Sequence, residues 1–314
     1  MRITNSILFR NALSDLNRLR ERMAQSQEQA STGLRINRPS DDPAGAGRIQ
    51  LLKSSLEALT QYERTIAGTR ARVAASETAV ANASAVLIRA RELAISGANG
   101  TMDAGTRAQI AVEVESLHAS LVSEANSRFA GGYVFAGFAS DAPPFESVGA
   151  FGTPPPASPV VGFVGDPNEI EVEIEEGIRV SASFDGRRIF MGDGDGDGLP
   201  DAGRDDVFDV LADLRDALML NDPVAASAAL PRIDAVLDQL QVERTAIGTV
   251  ESRLQVSEER LAGRSLELEL HLSRLEDADL AEVISNLTRE ESALRASLET
   301  MSRLLSPSLM DFLR

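Results

Sequence analysis

The sequence predicts a mainly α-helical protein, a long antiparallel helical rod whose N- and C-terminal helices pair as a coiled coil, with a small inserted β domain. Residues 1–60 and 240–314 are poor in glycine and carry apolar residues at coiled-coil spacing. Residues 138–205 are instead rich in proline, glycine and aspartate, with strand-like alternation. Residues 1–60 carry nine basic and six acidic side chains, and residues 240–314 carry nine and fourteen, so the ends can attract each other.

These boundaries suggest three domains. Residues 1–45 with 265–314 form a terminal coiled-coil domain, residues 46–137 with 206–264 form a helical rod domain, and residues 138–205 form the β insert. The insert is long enough for a small β domain but too short to be the main core.

Composition excludes several function classes. A net charge of −17 argues against nucleic acid, which needs a basic face. The absence of cysteine excludes disulfides and thiolate chemistry. We see no apolar run of the ~18 residues that membrane insertion needs. The N-terminus leads into an amphipathic helix without a cleavable signal, so we expect a cytosolic protein or one exported without signal cleavage.

The N-terminal half reads as three helices. The first carries a stripe with a 3-4 spacing and ends near Gly33. Asp42 and Pro43 are suited to the N-cap and first position of the second helix, which Gly97 ends. Asp103 or Thr106 can cap the third. The stripe of the first helix comprises Phe9, Ala12, Leu16, Leu19, Met23, Ser26 and Ala30.

The middle of the chain predicts a β hairpin. Six prolines between residues 143 and 159 exclude a regular helix there. Apolar residues then alternate with glutamates over 169–175, and alternate again over 178–184 after a turn at Glu176-Gly177. We therefore expect two strands with one apolar and one charged face.

The C-terminal part returns to helices. One helix covers 207–218, and Asn221-Asp222-Pro223 ends it and caps the next. The last stripe has spacings of 4, 3, 4, 3, 4, 3 and 4, which favours a coiled-coil seam over a helix packed only on its own domain. This stripe comprises Leu280, Ile284, Leu287, Glu291, Leu294, Leu298, Met301 and Leu305.

Two motifs carry a family resemblance. Residues 31–45 read STGLRINRPSDDPAG and resemble the N-terminal signature of bacterial flagellins and their relatives. Residues 274–279 read RLEDAD and resemble the matching C-terminal signature. The motifs nearly span the chain in the expected order, so the chain is identified as a member of the flagellin superfamily.

Three further segments resemble the hook–filament junction branch of that superfamily, the third hook-associated proteins. They are the start MRIT, the segment GYVFAGF at 132–138 with APPF at 142–145, and the end SLMDFL at 308–313. The terminal Arg314 departs from the junction pattern and is more typical of filament flagellin. The internal segment is the most specific of the three.

The resemblance implies a structural adaptor that is exported unfolded through the flagellar type III apparatus and assembles as a ring at the hook–filament junction, where it templates filament growth. It implies contacts with further copies of itself, the first hook-associated protein, flagellin and an export chaperone. The terminal helices would line the channel, and the β insert would face outward. Isolated amphipathic ends have little to pack against, so we expect them to be poorly ordered in the monomer.

We assign the assembly interface to the apolar seams at the two ends. The assigned residues are Phe9, Leu16, Leu19 and Met23 at one end, and Leu287, Leu294, Leu298, Met301 and Leu305 at the other.

An acidic loop is the candidate metal site. Asp193, Asp195 and Asp197 occupy positions 1, 3 and 5 of a calcium-loop pattern, with a glycine at position 6 and Asp201 at position 9. Position 12, where a bidentate acid is usual, is Arg204. An acidic glycine-rich turn without a metal explains the segment more simply, so we expect no cofactor and keep calcium as the alternative.

Catalysis has little support. The only histidines, His118 and His271, lie inside helical patterns, where packing or surface roles are usual. The single lysine, Lys53, is not part of a phosphate-binding loop. We therefore predict no enzyme. Two alternatives to the junction protein remain open: a filament-forming flagellin, and a soluble calcium-binding module that uses the acidic loop and the β insert.

Overall fold

The computed structural model describes residues 2–152 and 158–305 and confirms the mainly α-helical class with a small β region. The helices are α1 (Arg2–Thr32), α2 (Pro43–Gly97), α3 (Ala104–Ala125), α4 (Val207–Met219), α5 (Pro223–Glu276) and α6 (Leu280–Leu305). The strands are β1 (Arg128–Phe129), β2 (Gly132–Tyr133), β3 (Phe145–Val148), β4 (Val160–Phe163), β5 (Glu171–Glu175) and β6 (Ile178–Ser181). A π-helical turn spans Arg187–Met191.

Helix ends coincide with the predicted caps. Gly33 follows α1 with a φ of 74°, a left-handed conformation that glycine adopts without strain. Asp42 accepts a hydrogen bond from Gly45 N–H at the start of α2, and Asp103 accepts one from Thr106 N–H at the start of α3. Asp222 accepts the N–H groups of residues 224 and 225 in α5. Side-chain acceptors thus satisfy the free N–H groups of these first turns.

The chain divides into two compact units. The terminal unit comprises Met1–Leu59 with Ala262–Arg314, and the central unit comprises Thr60–Leu261. Charge is distributed unequally between them. The central unit contains 32 acidic and 16 basic side chains, and the terminal unit contains 16 and 15, so almost the whole net charge belongs to the central unit. The predicted three-domain division stays a prediction.

Four helical segments build the central unit. Ion pairs join α2 to α5, from Arg70 to Glu251 at 2.6 Å and from Arg91 to Asp234 at 2.6 Å. Because the residue numbers rise along α2 as they fall along α5, these two helices are antiparallel here. Helix α3 packs on α4. No helix in the described ranges is long and apolar enough to cross a lipid bilayer.

Among the residues that the structure describes, the β region contains three two-stranded antiparallel sheets, which pair β1 with β2, β3 with β4, and β5 with β6. The β5–β6 pair confirms the predicted hairpin, and Ile174 and Val180 are buried as expected. Ile178, however, is 40% exposed, contrary to the prediction of one continuous apolar face. A bulge sets it opposite Glu175 rather than opposite Ile174.

The segment at 132–138 contributes to the core of the central unit. Val134, Phe135 and Ala136 are at most 1% exposed, and the Phe135 ring meets the Phe190 ring edge-on at 5.2 Å. Gly137 has a φ of 57°, and a Cβ there would lie 2.7 Å from the Asn168 carbonyl oxygen. The backbone approach at this point therefore requires glycine.

A buried arginine joins α3, α4 and the insert. Arg215 is 1% exposed, and its guanidinium donates to Glu115 Oε1 at 2.7 Å, to Asp216 Oδ1 at 2.7 Å and to the Gly152 carbonyl at 3.0 Å. It also lies over the Phe151 ring, 4.9 Å from the centroid. A buried charge is tolerated only when it is paired and hydrogen-bonded in this way.

Candidate assembly surface

The loops after α1 and after α5 bind each other. Arg35 N–H donates to the Glu276 carbonyl at 2.6 Å, and Ala278 N–H donates to the Gly33 carbonyl at 2.9 Å. The Arg35 side chain adds a hydrogen bond to the Leu275 carbonyl at 2.7 Å. We call this contact of residues 33–35 with 275–278 the clasp. It brings together two sequence motifs that lie at opposite ends of the chain.

Side chains around the clasp fix its two loops. Asp41 accepts the N–H groups of Asn37 and Arg38, which closes the loop after α1. Lys53 Nζ lies 2.6 Å from Glu276 Oε1, and the Glu276 side chain is only 11% exposed. The start of α2 and the end of α5 are thereby held at the clasp. Helices α1 and α6 leave this point together and therefore pack antiparallel.

The stripe predicted on α1 is the face that α1 buries. Leu16 and Leu19 are 5% and 7% exposed, Met23 is half-buried, and Ser26 is 9% exposed. In the terminal unit α1 packs against α6, so this burial comes from within the chain. The 3-4 spacing therefore predicted the seam of α1 correctly.

On α6 the buried face is displaced from the predicted stripe. Leu287, Leu294 and Met301 are half-buried as predicted. Val283, which the stripe omitted, is 7% exposed, whereas its neighbour Ile284 is 57% exposed. Seven and fourteen positions after Val283, on the same side of α6, the half-buried residues are the polar Glu290 and Ser297. Two adjacent faces of α6 are apolar, and only one of them meets α1.

An exposed apolar row remains on α6. Leu298, which we assigned to the assembly interface, is 45% exposed, and Leu280 and Ile284 on the same side of the helix are 49% and 57% exposed. Ile7 and Leu13 of α1 are each 45% exposed, on different sides of that helix. The side chains of Phe9 and Leu305 lie outside the described residues. Assignment of the predicted residues to contacts between subunits stays a prediction, to which Ile7 and Leu13 now add candidates.

The acidic loop gathers three of its four aspartates. Carboxylate oxygens of Asp193, Asp195 and Asp197 all lie within 4.8 Å of one another. Asp193 is 3% exposed and accepts two backbone N–H groups, from Gly196 at 2.6 Å and Gly198 at 3.1 Å. These bonds close the turn without a cation.

Asp201 and Arg187 make further contacts with the loop. Asp201 Oδ2 accepts Gly194 N–H at 3.0 Å, and the Arg187 Nε atom lies 3.8 Å from Asp193 Oδ2. The guanidinium supplies positive charge where a calcium ion would otherwise balance the carboxylates. The geometry fits a closed acidic turn, and calcium stays the alternative.

The loop yields a prediction that separates these two possibilities. Asp193→Ala should lower the free energy of unfolding by about 1–3 kcal/mol, because a buried carboxylate that accepts two backbone N–H groups is lost. Asp197→Asn should have little effect, because its side chain is exposed. Thermal unfolding with and without calcium measures both. A calcium-dependent rise in melting temperature that Asp195→Asn and Asp197→Asn abolish would instead establish a metal site.

Three further titratable groups lie in the core, at a helix start and on the surface. His118 is 3% exposed, lies edge-on to the rings of Phe151 and Phe208, and burial lowers its pKa to about 4. Asp206 caps α4 through the N–H groups of Phe208 and Asp209, and burial raises its pKa to about 7. His271 is exposed, 3.9 Å from Glu267. The packing role predicted for a helical histidine fits His118.

Comparison with known proteins identifies the family. A sequence model of the bacterial flagellin N-terminal helical region matches residues 3–140, and one of the C-terminal helical region matches residues 230–313. The chain belongs to the bacterial flagellin family. The clasp of this flagellin-family chain joins the two matched regions, because residues 33–35 lie in the first and residues 275–278 in the second.

Individual relatives cover the whole length of this flagellin-family chain. It is 25% identical to "Flagellar hook-associated protein 3" of Salmonella typhimurium over 100% of both chains. It is 28% identical to the flagellin of Bacillus subtilis over 95% of this chain and 94% of that one. The crystal structure of the flagellar junction protein FlgL from Legionella pneumophila superposes with a TM-score of 0.58 at 15% identity, covering 74% of this chain and all of that one. The last of these similarities shows the shared fold.

Proposed function

We propose that this protein is the structural adaptor of the flagellar hook–filament junction, where it assembles as a ring and templates growth of the filament. The observation that carries the proposal is the full-length match to a hook-associated protein 3, which includes the central segment as well as the two end regions that the family models match. The clasp supports an assembly role, because it holds both terminal helices as one element.

The partners follow from that position. One face of the ring contacts the first hook-associated protein, and the other contacts the first flagellin subunits. The subunits leave the cell through the flagellar type III apparatus, so the assembled protein is extracellular. An export chaperone covers residues 280–305, whose exposed Ile284 and Leu298 need protection from water before assembly.

The terminal unit supplies the contacts between subunits. Leu280, Ile284 and Leu298 form an exposed apolar row on one side of α6, and such a row, unlike scattered single residues, indicates a contact surface. The charge of the terminal unit is nearly balanced, with 16 acidic and 15 basic side chains, so neighbouring copies can approach without strong repulsion. We propose a structural and not a catalytic role for every part of the chain.

A filament-forming flagellin is the second candidate, favoured by the 28% identity to the Bacillus subtilis flagellin. Deletion of the gene separates the two. For the junction role we expect hooks without filaments by electron microscopy, with flagellin monomers released into the medium. Loss of the major secreted subunit itself would identify a flagellin. Normal filaments would contradict both assignments, provided that no second copy of the gene is present.

A further inference from the structure

The central unit carries an isolated basic groove. Sixteen arginines supply all its positive charge, and at least ten of them form ion pairs within the unit. Arg179 and Arg253 have no carboxylate within ion-pair distance among the described residues. Both line a groove of about 400 Å³ between β6 and α5. Glu173 lies opposite Arg179 in the β5–β6 ladder and Glu175 pairs with the third lining arginine, Arg260, so Arg253 is the least compensated charge of the groove.

The floor and rim of the basic groove are apolar. Buried Ile174 and Val180 form part of its lining, and Ile178 and Val256 stand at its edge, 40% and 51% exposed. At one side of the groove Arg260 donates to both carboxylate oxygens of Glu175, at 3.1 and 3.0 Å. The lining suits a partner that combines carboxylates with aliphatic side chains.

A surface that combines carboxylates with aliphatic side chains occurs on the same central unit. A second groove, of about 340 Å³, lies between α4 and the start of α5. Asp213, Asp216 and Asp222 line it together with four alanines and Leu220. Its one basic residue, Arg232, binds Asp205 and Asp213, and Asp216 is held by Arg215 and Ser158. The exposed carboxylates that a partner can reach are those of Asp213 and Asp222. We call it the acidic groove.

Exposed apolar residues flank the acidic groove as they flank the basic one. Leu220 is 59% exposed and Val224, next to the lining residue Ala225, is 77% exposed. The alanine lining leaves space for an aliphatic side chain of a partner. Ala225 and Arg253 are about 28 residues apart on α5, or about 42 Å at 1.5 Å per residue. One chain therefore cannot join its own two grooves.

We propose that the basic groove of one copy binds the acidic groove of a second copy. The exposed carboxylates of Asp213 and Asp222 pair with Arg253 and Arg179, and the aliphatic residues at the two rims pack together. The contact joins unlike surfaces, so each bound copy keeps one free groove for the next, which is what a ring requires. Each groove is small, so the contact is weak alone and acts together with the terminal unit.

The inference deepens the proposed function, because a ring of copies needs a contact between unlike surfaces. Its test uses the absence of cysteine from the natural chain. Full-length Val224→Cys and Val256→Cys variants are mixed at high concentration under mild oxidation, and disulfide-linked dimers are measured on non-reducing gels. We expect dimers from the mixture well in excess of those from either variant alone. As a collision control, Val112→Cys, at a position 61% exposed on α3, replaces Val224→Cys.

Charge reversal then tests specificity. Adding Arg253→Glu to the Val256→Cys variant should reduce the yield about fivefold, the upper range for an exposed ion pair. Asp213→Arg in the Val224→Cys partner should reduce it similarly, and the two reversals combined should restore it. A yield no greater than the Val112→Cys control, or no rescue, would overturn the proposed contact. Gene deletion reports on the junction role separately, so a failed cross-link with a filament-free phenotype rejects the contact alone.

Discussion

Replacing Arg215 by methionine should lower the free energy of unfolding of the central unit by about 3–5 kcal/mol. Glu115 and Asp216 would then remain beside an apolar side chain without the guanidinium that pairs with both of them. The Gly152 carbonyl would lose its donor, and the Phe151 ring its cation. Chemical denaturation followed by circular dichroism measures the difference.

The matched control is Arg89→Met. Arg89 also bonds two carboxylates, those of Glu92 and Glu113, but its side chain is 51% exposed. Exposed pairs contribute about 0–1 kcal/mol, so this variant should remain close to the unchanged protein. Adding Glu115→Gln to Arg215→Met should recover part of the loss by removing one uncompensated charge. Equal costs for Arg215→Met and Arg89→Met would refute the argument from burial.

Leu19→Asp should separate α1 from α6. Leu19 is 7% exposed, and a carboxylate in its place would lose its hydration in the seam. Burial of a leucine contributes about 1.5–3 kcal/mol to folding, and few residues of comparable size are buried between these helices. The loss of Leu19 and the cost of burying a carboxylate together therefore exceed the free energy that holds α1 against α6. Hydrogen exchange of α1 and α6 should become markedly faster, and assembly should fail.

Leu13→Asp is the comparison that separates contacts within the chain from contacts between copies. Leu13 is 45% exposed, so hydrogen exchange in the isolated chain should stay unchanged. Assembly should still fail if Leu13 meets neighbouring subunits. Fast exchange of α1 in the unchanged monomer would show instead that the ends are unpaired before assembly, as the amphipathic pattern alone suggests.

Local chemistry predicted the helices well. Asp42, Asp103 and Asp222 are caps that a single side chain specifies, and Gly33 ends α1 through its backbone conformation. Such signals act over three or four residues and need no tertiary context. The flagellin signatures added the family. They did not indicate that residues 33–35 and 275–278 bind each other through their backbones.

The sequence did not decide which residues meet each other in the folded chain. Ile284 and Val283 are both apolar and adjacent, so periodicity could not tell which of them faces α1. The β1–β2 and β3–β4 hairpins have strands of two and four residues, too short for a clear alternation. Arg215 follows Leu211 and Leu214 on the apolar face of α4, which in retrospect is a signal of a buried charge.

The clasp also sets the order in which parts of the chain can fold. Arg35 and Leu275, which it joins, are 240 residues apart in sequence. At about 5–20 residues per second, synthesis takes roughly 10–50 s to pass from the first to the second. During that interval α1 exists without α6, whereas the hairpins close between near neighbours. The clasp therefore cannot close until residues 275–278 have been synthesised.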